Sequence, residues 1–138
     1  MPITYQTKGI VLPVIKRRKL NSWIKKVAYL YGKEVCEIAF VFCSDPVILE
    51  LNRQYLQHDY YTDIITFDYS ENNTISGDIF ISVDTVKSNA ILFETNFTKE
   101  LYRVIIHGIL HLCGLKDKTE EEKVVMREKE DEALDLIK

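Results

Sequence analysis

The spacing of apolar and polar side chains predicts four strands. Residues 3–7 (ITYQT) alternate between the two classes, and residues 37–43 (EIAFVFC) are rich in branched and aromatic side chains, as half-buried and buried strands are. Residues 63–68 (DIITFD) and 78–83 (DIFISV) have the same character. Between these last two strands, residues 70–77 (SENNTISG) are polar and turn-rich, and they are expected to form a surface loop.

Apolar side chains at three- and four-residue intervals predict about five helices. The first spans residues 14–31 and ends at Gly32, and the second follows the cap at Ser44-Asp45-Pro46. The apolar side chains expected to face inward are Val14, Leu20, Trp23, Ile24, Val27, Leu30 and Tyr31 in the first helix, and Val47, Ile48, Leu51 and Tyr55 in the second.

Three further helices complete the chain. One begins near Asp84 or Thr85, and one is capped by residues 96–98 (NFT). The last occupies residues 119–137 and opens with Thr119-Glu120-Glu121-Glu122, a capping box. The resulting order, β-α-β-α-β-β-α-α-α, predicts an α+β fold in which a small mixed four-stranded sheet is packed with helices.

Composition adds a domain count and a compartment. With 138 residues, 46% hydrophobic and 28% charged, the chain is expected to be one soluble domain, residues 1–138. No apolar stretch approaches 18 residues, which argues against a membrane span. The first residues, MPITYQTKGIVLP, lack the apolar core of a signal peptide. Cys36, Cys43 and Cys113 lack metal-binding spacing, and buried free thiols of this kind are expected in the reducing cytoplasm.

The net charge of −3 conceals an asymmetry along the chain. Residues 1–33 contain eight basic side chains and no acidic one, whereas the remaining ten basic and 21 acidic residues carry a net charge of −11. The run from Lys16 to Lys19 therefore indicates a surface that binds a polyanion. The alternative is a helix face that is merely solvated. Overall acidity argues against general, tight binding of nucleic acid.

Two histidines stand four residues apart inside an apolar run that predicts a helix, TKELYRVIIHGILHLCG. Positions four apart share a helix face, so His107 and His111 can reach one point. Gly114 is expected to end the helix in a left-handed turn, and Asp117 follows within reach of the same point. Two imidazole nitrogens and one carboxylate leave a fourth tetrahedral position open, as in a catalytic zinc site. The alternatives are two core histidines and an acid at the start of the last helix.

Residue 108 argues against one class of zinc enzyme. Metalloproteases of the HExxH type use the glutamate after the first histidine as general base. Gly108 occupies that position here and cannot accept a proton. A metal-activated water, or a nearby carboxylate, would have to act instead.

Three segments together resemble the YbeY family of bacterial endoribonucleases. They are LNRQYLQHDYYTDIITF (51–67), GDIFIS (77–82) and HGILHLCGLKD (107–117), which are similar to the family patterns LNxxYRxxDxPTDVLSF, GDIxIS and HGxLHLxGYDH. The similarity covers most of the chain from about residue 38 to 135. It implies a zincin-like α+β fold, a three-histidine zinc site, and single-strand-specific RNA cleavage in ribosomal RNA maturation and ribosome quality control.

The sequence departs from the family pattern at three positions. His107 and His111 fall on the first two family ligands, but Asp117 stands at the third histidine. Leu56 replaces a functional arginine, and Tyr61 replaces a proline. A carboxylate oxygen binds zinc at nearly the same distance as nitrogen, so Asp117 can still be a ligand. It lowers the site charge from +2 to +1 and makes other divalent metals more acceptable beside the expected single Zn²⁺.

Other polar residues are candidates for catalysis or RNA binding. Asp63 and Asp78, at strand ends, could serve as a base, although either could be structural. His58 could partly replace the missing arginine or bind the metal transiently, and it could equally be an exposed loop residue. Tyr60 and Tyr61 could stack on unpaired bases or pack against the strand. The candidate catalytic set is therefore His107, His111, His58 and Asp63.

These observations predict a cytoplasmic, metal-dependent endoribonuclease acting on single-stranded RNA. Its expected partners are ribosomal RNA and the small ribosomal subunit, without a membrane, and the sequence indicates no oligomeric state. One alternative is a metal-stabilised ribosome-binding factor without catalysis, which Leu56 and Asp117 make reasonable. Another is a metal hydrolase of a different phosphoester. A cation near the metal site would favour catalysis over the first alternative.

Overall fold

The computed structural model describes residues 2–56 and 63–137 of the chain, apart from the side chain of Leu56. The predicted order of strands and helices is confirmed. The strands are β1 (Ile3–Lys8), β2 (Glu34–Cys43), β3 (Ile64–Asp68) and β4 (Thr74–Ser82), and the helices are α1 (Arg17–Leu30), α2 (Asp45–Leu51), α3 (Val83–Leu92), α4 (Phe97–Leu112) and α5 (Glu120–Asp135).

The four strands form one mixed sheet in the order β1-β2-β4-β3. β1 pairs in parallel with β2, and β2 with β4, whereas β3 is antiparallel to β4. The α+β prediction is therefore correct. No helix in the described ranges has the length and apolar character needed to cross a bilayer.

The main core lies between one face of the sheet and helices α1, α3, α4 and α5. Alternate side chains of β2 and β4 are buried there, as expected for strands with one face toward the core: Ile38, Phe40, Phe42, Ile75, Ile79 and Ile81. A smaller cluster lies where α2 covers the sheet, around Cys43, Ile48 and Ile65. α4 approaches the sheet closely at Gly108, where a Cβ atom would stand 3.0 Å from a methyl of Ile79. A larger residue at that position would require the side chains of Ile79 and Ile64 to shift.

The prediction of a surface loop over residues 70–77 is wrong for its second half. β4 begins at Thr74, and only the residues before it form the turn, which includes Asn72 with φ of +52°. Ile75 is fully buried, and a Cβ atom at Gly77 would stand 2.5 Å from the Phe67 carbonyl of β3. Polar composition concealed this strand because its stability comes from pairing with β3 and with β2, which is distant in sequence.

Two helical predictions also need correction. α1 begins at Arg17, so Val14 precedes the helix and is 98% exposed. Leu30, at the opposite end of α1, is exposed as well. Tyr55 is 62% exposed, and its ring meets the core only at its edge, against Phe67 at 5.6 Å between ring centres. α2 ends at Leu51 and continues as a π-helical turn, Asn52–Leu56, whose wider winding changes the direction of the side chains that follow.

Candidate metal centre

The end of α4 determines where Asp117 lies. The amide of Gly114 donates to the His111 carbonyl at 3.0 Å, and the amide of Leu115 donates to the Leu110 carbonyl at 3.1 Å. These two hydrogen bonds and the positive φ of Gly114, +108°, form a Schellman motif. The left-handed turn predicted at Gly114 is therefore correct. It reverses the chain and brings Asp117 back toward α4.

The start of α5 fixes the opposite side of the site. The predicted capping box is confirmed: Thr119 accepts from the Glu122 amide at 3.1 Å, and Glu122 accepts from the Thr119 amide at 2.9 Å. The indole of Trp23 donates to the Ala133 carbonyl at 2.8 Å and joins α5 to α1. With α5 held in this position, Glu130 faces α4 and is only 5% exposed.

His107 lies between two carboxylates. Its Nδ1 is 2.7 Å from Oε2 of Glu130, and its Nε2 is 3.5 Å from Oδ2 of Asp117. In the neutral ring, a proton on Nδ1 is donated to Glu130, which leaves the Nε2 lone pair directed at Asp117. Two acceptors that face each other in this way are stabilised by a cation between them, either a proton or a metal ion. Glu130 thus orients the His107 ring, as a carboxylate commonly does for a histidine that binds a metal ion.

The surrounding charges alter the pKa values at this site. Burial lowers the pKa of His107, but the hydrogen bond and charge of Glu130, with the charges of Asp117 and Asp63, outweigh it and raise the pKa overall. Burial raises the pKa of Asp63, and the charge of His107 only partly offsets that effect. His107 and Asp63 therefore sense each other's charge, which places Asp63 beside the candidate centre.

A cavity of about 390 Å³ adjoins this cluster. The described residues that line it are mostly polar: Asp63, Ile64, Asn89, Phe93, Glu100, Arg103, Val104, His107, Asp117, Arg127 and Glu130. Asp78, the other carboxylate considered as a base, is not among them. It accepts a hydrogen bond from the Tyr69 hydroxyl at 3.3 Å and lines a separate cavity with Thr4 and Ala39.

Sequence reasoning missed Glu130 and Arg103. Arg103 donates to Glu130 at 3.0 Å and to Asp131 at 2.7 Å, so it holds the carboxylate that holds His107. A helical-spacing signal was available for both. Arg103 precedes His107 by four residues on α4. Glu130 continues the buried stripe of α5 that includes Met126 and Ala133, and a carboxylate on a buried stripe indicates a charged partner.

His111 does not join His107 and Asp117. Its side chain is exposed, one turn beyond His107 on α4. Within residues 2–56 and 63–137, no group of three His, Cys, Asp or Glu side chains has the geometry to hold a metal ion. Ligation by His111 therefore stays a prediction. His58, Tyr60 and Tyr61 lie outside the described residues.

The donor atoms present are nevertheless compatible with zinc. With bonds of about 2.0–2.2 Å, two ligands of a tetrahedral Zn²⁺ stand roughly 3.3–3.6 Å apart. The 3.5 Å between His107 Nε2 and Asp117 Oδ2 lies in that range. The hydrogen bond from Nδ1 to Glu130 leaves Nε2 as the ring nitrogen with a lone pair for a metal ion. The spacing of these two donor atoms is thus compatible with a zinc site.

The fold has a solved counterpart. The structure described as "Solution structure of TM1509 from Thermotoga maritima" matches 98% of this chain and 88% of its own, with a TM-score of 0.67 and 26% sequence identity. The molecule is thus an α+β domain of the same architecture, with a polar cavity beside its histidine-bearing helix.

The family follows from the sequence comparisons. The family model described as "Endoribonuclease YbeY" matches residues 5–138, so the chain belongs to the YbeY family. The protein named Endoribonuclease YbeY in Phocaeicola vulgatus is 62% identical over 135 residues, which cover 98% of each chain. That of Bacteroides fragilis is 59% identical over 138 residues, 100% of this chain and 99% of the relative. The resemblance seen in the three sequence motifs is therefore confirmed.

Proposed function

We propose that this protein is a metal-dependent endoribonuclease that cleaves single-stranded RNA during the maturation and quality control of ribosomal RNA. Membership of the YbeY family, whose named relatives are endoribonucleases, supports hydrolysis of RNA phosphodiester bonds. The position of His107 between Glu130 and Asp117, beside a polar cavity, is the observation that carries the dependence on metal.

Each residue of the cluster has a distinct part in this proposal. His107, Asp117 and His111 would hold the metal, which when bound supplies positive charge that attracts phosphate and acidifies water. Glu130 holds the proton on Nδ1 of His107 and keeps Nε2 directed at the site. Asp63 is the carboxylate available as a general base. Burial raises its pKa, and a less acidic carboxyl group accepts a proton more readily at neutral pH.

The catalytic function is favoured over a purely ribosome-binding one. Leu56 removes the cation expected from the family pattern, yet two arginines, Arg103 and Arg127, line the cavity beside His107. Arg103 is engaged by two carboxylates, whereas Arg127 is exposed. A cationic side chain is thus available to bind phosphate at the site.

The central test is removal of His111. Because its side chain is exposed, His111→Ala is expected to fold normally, while leaving at most two of the three proposed ligands. Metal content by mass spectrometry should fall from about one per chain to well below stoichiometric, and cleavage of a defined single-stranded RNA should be lost. His58→Ala is the matched variant. If His111→Ala keeps wild-type metal content and His58→Ala loses it, His58 is the third ligand and the proposed ligation by His111 is wrong.

A ribosomal partner is proposed from helix α1. The side chains of Lys16, Arg17, Arg18 and Lys19 are all exposed, and the Arg17 guanidinium lies 5.8 Å from the centre of the Tyr5 ring. The run therefore presents a basic surface at the start of α1, on an otherwise acidic protein. Ribosomal RNA of the small subunit, in the cytoplasm, is the polyanion we propose for it.

Reversal of two of these charges is expected to weaken ribosome binding. Arg18→Glu with Lys19→Glu leaves the Arg17–Tyr5 contact intact, and removing about two phosphate contacts should lower the slope of log affinity against log salt by roughly 1.4 to 1.8. Filter binding to ribosomal subunits across salt concentrations measures this slope. Lys25→Glu with Lys26→Glu makes the same charge change farther along α1. An unchanged slope in the first variant, or equal losses in both, would show that the run has no special role.

A further inference from the structure

We propose that Phe93 and Arg127 form a nucleotide-binding subsite at the rim of the cavity, in which Phe93 stacks on an unpaired base and Arg127 binds the adjoining phosphate. The inference rests on the proposed function and extends it to the recognition of RNA. Both side chains line the cavity that contains His107 and Asp117, and both are exposed to solvent. They come from different helices, α3 and α5.

The charge of the cavity creates a need for a free cation. Asp63, Glu100, Asp117 and Glu130 all line it, and their carboxylates would repel an RNA phosphate. Arg103 cannot offset this repulsion, because its guanidinium is bonded to Glu130 and Asp131 and its side chain is only 12% exposed. A second positive charge at the rim would therefore help a phosphate to enter beside the proposed metal.

Arg127 meets this requirement. It precedes Glu130 by three residues on α5, so the two side chains share a helix face, and it lines the cavity while remaining exposed. Its charge acts on the nearby Glu100 carboxyl group. A guanidinium can hold a phosphate through two parallel hydrogen bonds. Arg127 of α5 would thus provide the positive charge that the family pattern places at the position of Leu56.

Phe93 supplies the other half of the subsite. It is the residue after α3, and 53% of its surface is exposed. Its backbone is fixed by a hydrogen bond from its amide to the Asn89 carbonyl at 2.9 Å, and Glu94 then reverses the chain with φ of +53°. A half-exposed ring on a fixed backbone at the rim of a polar cavity is suited to stacking on a base. Bases are available for such stacking only in unpaired RNA.

The test uses a fluorescent oligouridylate and an abasic oligonucleotide with the same number of phosphates. Phe93→Leu keeps an apolar side chain but removes the ring. It is expected to weaken binding of the oligouridylate about tenfold and to leave binding of the abasic probe unchanged. Arg127→Gln is expected to weaken binding of both probes equally and to lower the salt slope by about 0.7. Fluorescence anisotropy gives the dissociation constants, and cleavage assays should show higher KM values.

Two control variants isolate the subsite. Leu92→Ala removes an exposed apolar neighbour of Phe93 that does not line the cavity. Lys123→Gln removes an exposed positive charge from α5, one turn before Arg127. Both should bind the two probes as the wild type does, and metal content should be unchanged in all four variants.

The outcomes separate the subsite from the proposed function. If the wild type binds and cleaves RNA but Phe93→Leu loses no preference for the oligouridylate over the abasic probe, the stacking role is overturned. An unchanged salt slope in Arg127→Gln overturns the phosphate role. If the wild type itself neither binds nor cleaves the oligouridylate, the proposed function and the subsite fail together.

Discussion

Replacement of Asp117 by alanine is expected to remove most of the bound metal without unfolding the protein. The side chain is 39% exposed, and its described contact is the 3.5 Å approach to His107, so its loss leaves no buried group unpaired. It would, however, remove the single oxygen donor of a three-ligand site and admit water in its place. Mass spectrometry after dialysis against a mild chelator measures the metal, and circular dichroism checks the fold.

Asp117→His is the matched variant for this experiment. It keeps three ligands and raises the site charge from +1 to +2, so zinc binding should be at least as strong as in the wild type. The pH–rate profile for RNA cleavage should move to lower pH. Histidine is longer than aspartate, so the turn after Gly114 must adjust. The alanine variant is therefore decisive. If Asp117→Ala keeps full metal occupancy under mild chelation, Asp117 is only an acid at the start of α5, and His58 becomes the first candidate for the third ligand.

The parts of the fold that could be predicted from sequence are those determined by neighbouring residues. The Asn96 side chain accepts from the Lys99 amide at 2.7 Å and begins α4 as expected. Thr119 begins α5 through its capping box, and Gly114 ends α4 with a positive φ. Each of these signals depends on hydrogen bonds that span only a few residues, so the sequence specifies them locally.

Most of the features that escaped prediction depend on residues far apart in the chain. Thr74 begins a strand because it pairs with Glu34, 40 positions earlier. Tyr55 stays mostly exposed where α2 widens into a π-helical turn, which no spacing rule indicates. Arg103 and Glu130 meet across two helices, 27 positions apart. At Thr74 and at the Arg103–Glu130 pair, a tertiary contact outweighs the local pattern.

In the candidate centre, too, local features could be predicted and tertiary ones could not. The helical period was enough to place His107 and His111 on one helix, and the glycine turn was enough to bring Asp117 near His107. The period could not show that the His111 side chain is exposed while that of His107 is 22% exposed and bonded to Glu130. That difference arises because Glu130 of α5 packs against α4 at His107. The apolar spacing within one helix does not show where another helix will pack on it.

Glu130→Gln is expected to weaken metal binding about 10- to 100-fold, the usual effect of losing the partner of a metal-binding histidine. Glutamine keeps the shape of the side chain but removes the charge that accepts from Nδ1 of His107 at 2.7 Å. Without that carboxylate the pKa of His107 in the metal-free protein should fall, since Glu130 is the foremost of the groups that raise it. NMR titration of the ring protons measures this change.

Stability provides a second measurement on the same variant. Glu130 also accepts from Arg103 at 3.0 Å, and both side chains are largely buried, at 7% and 12% exposure. The loss of a charged hydrogen bond at such a site should lower the free energy of unfolding by about 1–3 kcal/mol. Urea denaturation of the metal-free protein tests this figure.

Asp131→Asn is the control that separates the two roles of Glu130, its contact with His107 and its contact with Arg103. It removes the other carboxylate bound to Arg103, at 2.7 Å and 59% exposed, and it leaves the contact between His107 and Glu130 in place. Metal affinity and the pKa of His107 should stay at wild-type values in this variant. If both variants weaken metal binding equally, Glu130 acts only through Arg103 and the packing of α5, and its proposed hold on the His107 imidazole is wrong.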